Sequence, residues 1–395
     1  MAGGIRQGVA WLAAAVAVAS MGGCIPRGAL GPARLQPPAA AQKAGVRVGS
    51  GLLRQSVFVQ VPSLGVVTGI VEGELDPAPG REIGLAGTNG AVFVDQTGKQ
   101  KAKVSFSNPG VRRSNFGVQV DIIDVEGDGV CEFMSRGAWV RPAYLMDHQG
   151  KVLWTYGGFP GVDDMGAGDV NGDGRLEFGV GFNGDGGVHL LDSHGKKQWQ
   201  QPDGNAWHVE LVDTNRDGRA EVVNSNAGGE ITVRDATGAV VGQGQPPGYF
   251  AHFSICRWPT AKDQQYALLA GDGAIWVLRF DGSVAKKLDA PQASTLSIAR
   301  GVPVVLAPDG STYFATAVAA LPSQASVLYV HDKAGNLVYQ EALAEPCASI
   351  AAVRLGDAKT DALLVGGDGK VFKYELAAAP GAQSRTGEQS PATQK

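Results

Sequence analysis

The stretch DVNGDGRLE, residues 169–177, contains three acidic residues, one asparagine and two glycines within nine positions. Related stretches occur on both sides of it, DVEGDGVCE at 124–132 and DTNRDGRAE at 213–221. Their leading aspartates, Asp124, Asp169 and Asp213, are 45 and 44 residues apart. A motif that recurs at this spacing indicates a repeated structural unit.

A second marker, a turn ending in glycine and usually reading DxxG, closes six successive units. These turns end at Gly98, Gly150, Gly195, Gly238, Gly282 and Gly335. Their spacings of 52, 45, 43, 44 and 53 residues describe one unit with longer insertions in two copies. A seventh copy begins at Ile350 and stops near Leu376, where the marker is due.

Each unit contains four short segments rich in β-branched residues, separated by Gly, Asn and Asp turns. Four strands in a period in the low forties are typical of a β-propeller blade. We therefore predict an all-β chain that forms a seven-bladed β-propeller of four-stranded blades. Because the seventh copy has three strands and an orphan strand precedes the first unit, this N-terminal strand should complete the last blade. The expected blades are 64–106, 118–156, 165–201, 208–244, 252–289, 297–343, and 349–376 with strand 54–62.

The repeated loop also resembles the FG-GAP/VCBS repeat family of integrin-alpha-like propellers. The likeness rests on a DxNxDGxxE loop between the first two strands of a blade, followed by a hydrophobic strand and a Gly-rich turn, as in DVNGDGRLEFGVGFNGDGG at 169–187. It is strong in units two to four and weak in units five to seven. The resemblance implies calcium loops on one face of the propeller and partners docked on the other.

The chemistry of the loops points to calcium without that resemblance. Calcium takes six to eight oxygen ligands, and acids at alternate positions of a tight turn direct carboxylates inward. The predicted ligands are Asp124, Glu126, Asp128, the Val130 carbonyl and Glu132 in unit two, Asp169, Asn171, Asp173, the Arg175 carbonyl and Glu177 in unit three, and Asp213, Asn215, Asp217, the Arg219 carbonyl and Glu221 in unit four.

An EF-hand is excluded, because its bidentate glutamate at position twelve is replaced by Ser135, Val180 and Asn224. The remaining units lack enough acids in register, so we expect about three calcium ions. The alternative is a set of Asx turns that brace the hairpins without metal.

The N-terminus has the pattern of a bacterial lipoprotein signal. Arg6 precedes an apolar stretch at 9–19, and SMGGC ends at Cys24, which resembles a lipobox. We expect a signal peptide at 1–23, lipidation of Cys24, a flexible tether at 24–53 and a disordered tail at 377–395. Ordinary signal cleavage nearby is the alternative. The lipoprotein resemblance implies an exported envelope protein of the outer membrane, on its periplasmic side or surface.

Composition limits the partners. A formal net charge of -4 provides no basic field for nucleic acid, and membrane contact is expected through the lipid anchor only. Three cysteines follow Cys24, an odd number in separate segments, which favours buried free thiols over a disulfide framework. We expect a monomer.

The loops between successive blades are rich in aromatic and arginine residues, a composition favoured at recognition surfaces. The alternative is that these side chains fill the mouth of the channel. The candidate binding residues are Arg112, Arg113, Trp139, Arg141, Tyr144, Phe159, Asp164, Trp207, His208, Tyr249, Phe250 and His252.

Four of the aligned positions form a separate hypothesis. Gln119, Asp164, His208 and His252 occupy equivalent positions at the start of the innermost strands of four adjacent blades. One Asp and two His side chains suit a transition metal or acid/base chemistry. They equally suit a polar channel lining, and neighbouring blades could hold them too far apart to share an ion.

Two functions follow from these patterns. The first is a calcium-stabilised, surface-anchored propeller that binds a protein or glycan in the cell envelope or outside the cell. The alternative is a polysaccharide-acting, lyase-like enzyme on a calcium-containing propeller. The sequence contains no Ser/His/Asp nucleophile motif, phosphate loop or zinc signature, so no catalytic residue is assigned and binding is favoured.

Overall fold

The computed structural model describes residues 52–73, 81–106, 119–136, 142–158, 160–226, 228–248, 252–294, 297–320 and 325–377. Within them, 28 strands form seven antiparallel sheets of four strands each, arranged as blades in a ring. The all-β, seven-bladed prediction is confirmed. Among the described residues, no helix is long and apolar enough to cross a membrane.

The first strand in the chain, β1 (Leu53–Gln60), precedes a short 3-10 helix at Pro62–Leu64 and belongs to blade 7. Blades 1 to 3 then follow in chain order. Blade 1 contains β2 (Val67–Gly73), β3 (Glu82–Gly87), β4 (Gly90–Val94) and β5 (Gln100–Ser105); blade 2 contains β6 (Val120–Ile123), β7 (Glu132–Ser135), β8 (Ala143–Met146) and β9 (Val152–Tyr156); blade 3 contains β10 (Val162–Gly168), β11 (Glu177–Phe182), β12 (Gly187–Leu191) and β13 (Lys197–Gln201).

The remaining blades continue the same order. Blade 4 contains β14 (Ala206–Val212), β15 (Glu221–Asn226), β16 (Ile231–Arg234) and β17 (Val240–Gly244); blade 5 contains β18 (Ser254–Trp258), β19 (Ala261–Gly271), β20 (Ala274–Leu278) and β21 (Val284–Asp289); blade 6 contains β22 (Ser297–Val305), β23 (Thr312–Ala320), β24 (Ser326–Asp332) and β25 (Leu337–Ala342); blade 7 contains β26 (Ile350–Val353), β27 (Ala362–Gly366), β28 (Lys370–Leu376) and β1.

Burial explains the composition of the strands. In blade 3 every residue of β11 and β12 is buried, because neighbouring blades cover both faces of the middle strands. The outermost strand, β13, contains only exposed and half-buried residues, which alternate from Gln198 onward, and carries the polar sequence KQWQQ. Buried runs therefore characterise the two middle strands of the blade, and a mixture of exposed and half-buried residues characterises its outermost strand.

The glycine markers of the repeat end the turns between the third and fourth strands. Gly195 has a φ of 79°, in the left-handed region that favours glycine. The Asp192 carboxylate accepts the N–H groups of His194 and Lys196 at 3.1 and 2.9 Å. The DxxG spacing therefore follows from one Asx-type turn used in successive blades.

Two glycines allow the innermost strands of adjacent blades to approach each other closely. A Cβ on Gly69 of β2 would lie 2.7 Å from the Val120 carbonyl oxygen of β6. A Cβ on Gly166 of β10 would lie 2.8 Å from the Val209 carbonyl oxygen of β14. Side-chain hydroxyls add cross-blade hydrogen bonds, as where Ser349 donates to the Val67 carbonyl at 2.8 Å.

The ring closes through its two terminal strands. β1 pairs antiparallel with β28, from Leu53 opposite Leu376 to Gln60 opposite Lys370. Beyond the strands, the Ala377 N–H donates to the Leu52 carbonyl at 2.8 Å. The predicted completion of the last blade by an N-terminal strand is confirmed.

The hydrophobic core lies between the blades in successive clusters. One such cluster joins blades 6 and 7 and includes Leu53, Leu328 and Tyr374. Cys131 and Cys256 are buried in other clusters. Burial raises the pKa of the Cys256 thiol, so it behaves as a small apolar group.

Candidate functional site

The acidic loop of blade 3 connects β10 to β11 and is held by its own side chains. The two carboxylate oxygens of Asp169 accept the N–H groups of Gly172 at 2.6 Å and Gly174 at 2.9 Å. The Glu177 carboxylate accepts the Val170 N–H at 3.0 Å, across the base of the loop. These bonds preorganise the loop from within.

In the same loop two further carboxylate oxygens converge on one point. The Asn171 side-chain amide donates to Asp173 Oδ2 at 3.2 Å and to Glu177 Oε1 at 3.0 Å. Blade 4 repeats this arrangement, with Asn215 donating to Asp217 Oδ2 at 3.1 Å and to Glu221 Oε1 at 2.9 Å.

The side-chain NH2 group of Asn171 lies between these two carboxylate oxygens, at the position where a bound cation would contact both. Rotation of the Asn171 amide by half a turn would bring Oδ1 to the same point, at the expense of the bond that it accepts from the Asp173 N–H at 2.8 Å. Carboxylate and amide oxygens on a tight turn are the type of ligand that calcium prefers. The same bonds also describe a metal-free Asx brace.

The loop of blade 2 differs from the other two. Its Glu126 carboxylate lies 3.1 Å from Nε of Arg175, in the loop of blade 3. Asp124 still accepts the N–H groups of Gly127 and Gly129, at 2.8 and 2.9 Å. Glu126 thus links two loops, while the other carboxylates keep the arrangement seen in blade 3.

At the opposite end of the innermost strands, three predicted residues come together. Asp164 lies near the start of β10, His208 lies on β14, and His252 lies two residues before the start of β18. One ligand atom from each lies within 4.8 Å of the other two. Neighbouring blades therefore do not hold these groups apart. In the part of the chain that the structure describes, this is the single such trio of His, Cys, Asp or Glu side chains.

The two rings of His208 and His252 pack against each other. Their centroids are 3.7 Å apart, with an angle of 43° between the planes. Nδ1 of His208 contacts the Asp164 carboxylate, and Nε2 lies 3.3 Å from Oε1 of Glu210. Asp164 also accepts the Val209 N–H at 3.1 Å, which fixes its carboxylate against β14.

Arg136, which follows β7, joins the carboxylates around this trio. Its Nε donates to Asp121 at 2.6 Å, and its Nη1 donates to Glu210 at 2.9 Å and lies 3.6 Å from Asp164. One guanidinium thereby contacts carboxylates from blades 2, 3 and 4. Its planar arrangement of donors suits such multiple contacts.

Blade 6 reaches the same cluster from across the channel. Arg300 of β22 donates to Gln119 Oε1 at 2.6 Å, and Gln119 donates in turn to Asp121 at 3.0 Å. The mouth cluster, defined as Gln119, Asp121, Arg136, Asp164, His208, Glu210, His252 and Arg300, therefore contains side chains from blades 2 to 6. These side chains cross the channel at this mouth.

Burial and neighbouring charges set the ionisation of the mouth cluster. Burial opposes ionisation of Glu210, but Arg136 and His208 lower its pKa to about 2. Burial likewise disfavours a charged His208, yet Asp164 and Glu210 raise its pKa above the ordinary value. Burial, together with the positive charge of its neighbours, holds the pKa of His252 well below normal, so that ring is neutral.

The charges of the mouth cluster do not cancel when both imidazoles are neutral. Asp121, Asp164 and Glu210 carry three negative charges, and Arg136 and Arg300 carry two positive ones, which leaves a net charge of -1. A cation at His208 compensates this charge. Protonation of His208 is one way to provide it.

The other residues of the predicted binding face have mixed positions. Tyr144 on β8 and Trp207 on β14 are half-buried. Outside the described residues lie Arg112, Arg113, Trp139, Arg141, Phe159, Tyr249, Phe250 and the predicted lipidation site Cys24.

Sequence reasoning missed four members of the mouth cluster, Asp121, Arg136, Glu210 and Arg300. A signal for two of them exists, because Asp121 and Glu210 lie two positions beyond Gln119 and His208. Alternate residues of a strand point to the same face. Nothing in the repeat pattern singles out Arg136 or Arg300.

Comparison with known proteins supports the fold alone. Protein-family models and curated protein sequences give no match to this chain. Among solved structures, BBS1N in complex with ARL6DN is similar at a TM-score of 0.55 and 9% identity, over 81% of this chain and 95% of that one. The Pan2 WD40 domain of Neurospora crassa is similar at 0.51 and 11% identity, over 84% and 98%.

Proposed function

We propose that this chain is a calcium-stabilised propeller of the FG-GAP/VCBS type that binds a protein or glycan partner in the cell envelope or outside the cell. Cys24 carries a lipid that anchors it to the outer membrane. The observation that carries the binding role is the mouth cluster. Its side chains cross the channel and contact one another, which leaves the loops between blades as the surface for recognition.

The same observation disfavours the alternative of a polysaccharide-acting enzyme. Such an enzyme needs acid/base groups that reach the sugar. The side chains of His208 and Asp164 are 0% and 8% exposed, and both already face charged partners. Arg136 is 12% exposed and is shared among carboxylates. These side chains are therefore paired with one another inside the ring.

In this proposal the direction of β1 and β28 determines which end of the ring the lipid-bearing segment joins. β1 begins and β28 ends at the end of the ring that carries the acidic loops, and Leu52 there accepts a hydrogen bond from Ala377. A lipid-bearing tether therefore joins the ring at the acidic-loop end. The mouth cluster and its surrounding loops lie at the end farther from the attachment point.

Calcium removal tests the stabilising role. We expect EGTA to lower the melting temperature and calcium to restore it, because an ion that binds only the folded chain adds about 2.7 kcal/mol at 100 times its dissociation constant. The double variant Asp173→Asn, Asp217→Asn should lose most of this calcium-dependent gain. In EGTA it should be at least as stable as the wild type, since asparagine keeps the turn acceptor and removes carboxylate repulsion.

Asp235→Asn provides the matched control, because Asp235 braces a DxxG turn by accepting the Thr237 N–H at 2.9 Å outside the acidic loops. Its calcium-dependent gain should equal that of the wild type. Identical melting curves of the wild type in calcium and in EGTA would show that the loops are metal-free braces.

Partner recognition is tested with the mature, acylated chain. We expect saturable binding to an envelope glycan or protein, measured on a glycan array and by cross-linking in intact cells followed by quantification with purified partner. Arg113→Ala, at the predicted face, should weaken binding by roughly 10-fold, as for a recognition hot spot. Arg257→Ala, at an exposed site on β18 toward the acidic loops, is the matched control.

In the same cells, Cys24→Ser protein should move from the membrane fraction to the soluble fraction. Release of unsaturated sugars from polysaccharide by the purified chain would favour the enzyme and overturn the binding role. Equal loss of binding in both arginine variants would place recognition elsewhere than on the predicted face.

A further inference from the structure

We propose that Asp164, His208 and His252 form a binding site for one divalent transition-metal ion, with zinc as the representative, inside the mouth cluster. This site is separate from the acidic loops, which lie at the other end of the innermost strands. It does not depend on whether those loops bind calcium.

The distances bring the three ligands close to coordination. One ligand atom from each residue lies within 4.8 Å of the other two. Zinc binds imidazole nitrogen and carboxylate oxygen at about 2.0–2.2 Å in a tetrahedral arrangement, so two ligand atoms of one ion lie about 3.4 Å apart. Side-chain rotations that draw the wider pairs together and open the direct contact between Asp164 and His208 would bring the three ligand atoms to this spacing.

The surroundings of His208 already resemble those of a metal ligand. Its Nδ1 faces Asp164, and its Nε2 lies 3.3 Å from Glu210. Histidines that bind a metal through one nitrogen usually donate the other N–H to a carboxylate. Glu210 is in turn fixed by Arg136 at 2.9 Å, so the group that would orient His208 is itself held in place.

His252 supplies an independent observation. Its Nδ1 is a buried atom without a hydrogen-bond partner. A buried polar atom without a partner carries a desolvation cost that coordination would offset.

Ligand chemistry and charge select the class of ion. Two imidazoles and one carboxylate favour zinc and neighbouring transition metals over calcium or magnesium, which prefer oxygen ligands. The three carboxylates and two guanidinium groups of the mouth cluster sum to a net charge of -1, which a bound cation would offset. A bound ion would connect the innermost strands of blades 3, 4 and 5. The rival occupant is a proton on His208.

The test measures zinc binding to the mature full-length chain, produced without a polyhistidine tag and saturated with calcium. Isothermal titration should give one zinc ion per chain. His252→Gln should weaken zinc binding by more than about 100-fold, since even the groups behind metal ligands contribute 10- to 100-fold. His148→Gln, in an exposed outer turn, is the matched control and should bind as the wild type does.

A second measurement uses the wild-type protein, so that the test does not depend on whether the variants fold. X-ray absorption of the zinc-loaded wild type should show two imidazole ligands and additional oxygen. The Asp173→Asn, Asp217→Asn variant should keep its zinc site, which separates this proposal from the calcium loops. No zinc binding by the folded wild type, fewer than two imidazoles, or unchanged affinity in folded His252→Gln would each overturn the proposal.

Discussion

Deleting β1 is expected to lower the melting temperature by roughly 5–10 °C and to make the protein self-associate. β1 pairs with β28 along its length, with one register shift between Val57 and Val59, and Leu53 packs in the cluster between blades 6 and 7. Its hydrogen bonds and apolar contacts, at about 1 kcal/mol each, sum to roughly 5 kcal/mol. A loss of 1 kcal/mol shifts the melting temperature by about 2–4 °C for domains of 150–250 residues and by about 1–2 °C for a ring of this size.

The self-association has a separate cause. Without β1, β28 becomes the edge of blade 7 and exposes unpaired backbone groups to other chains. The chain that would move into its place, GVRVGSGL at 45–52, contains three glycines and is a poor substitute strand.

The matched control for the β1 deletion is removal of residues 39–46, which shortens the chain equally ahead of β1. This control should keep the melting temperature and the monomeric elution volume of the wild type. A synthetic peptide of residues 52–61, added to the β1 deletion, should restore part of the stability by pairing with β28. A deletion variant that melts like the wild type would mean that six complete blades and one three-stranded blade suffice.

Replacing Arg136 by methionine is expected to lower the free energy of unfolding by about 3–5 kcal/mol, the usual cost of removing one partner from a buried charge network. Methionine replaces the unbranched apolar stem of arginine and lacks the guanidinium. It leaves Asp121 and Glu210 without the guanidinium that lies 2.6 and 2.9 Å from them. The carboxylates come from separate blades, so their repulsion acts directly on the ring.

Arg136→Lys separates charge from geometry. Lysine retains the positive charge but has one ammonium group in place of a planar set of donors, so an intermediate loss is expected. Urea unfolding of the wild type and both variants at one fixed calcium concentration gives the comparison. A methionine variant within about 0.5 kcal/mol of the wild type would mean that water compensates the carboxylates.

The fold was predictable from the sequence because its evidence is repeated. The acidic loop and the DxxG turn each recur along the chain. The seventh unit lacks one strand and one unassigned strand precedes the first unit, so pairing the two completes the ring, as β1 and β28 do. Detail within a blade was less accessible. β10 begins at Val162, ahead of the expected start at 165, so Asp164 lies within the innermost strand.

The site was predictable in part. Alignment of the repeats placed Asp164, His208 and His252 at equivalent positions, but their convergence depends on the spacing of blades around the ring, which no sequence period specifies. Arg136 lies beyond the end of a second strand, and its contacts form only in three dimensions. The acidic loops remain a prediction, because calcium sites and Asx braces use the same residue types.

The pairing of the two terminal strands determines how the molecule responds to force. Leu53 and Leu376 face each other at one end of the β1–β28 pair, so both chain ends leave side by side. Tension between the ends would separate this pair one hydrogen bond at a time, starting at the bond from Ala377 to Leu52. Tension applied along opposed strands would instead load many bonds at once. The closing blade is therefore the mechanical weak point of an otherwise continuous ring.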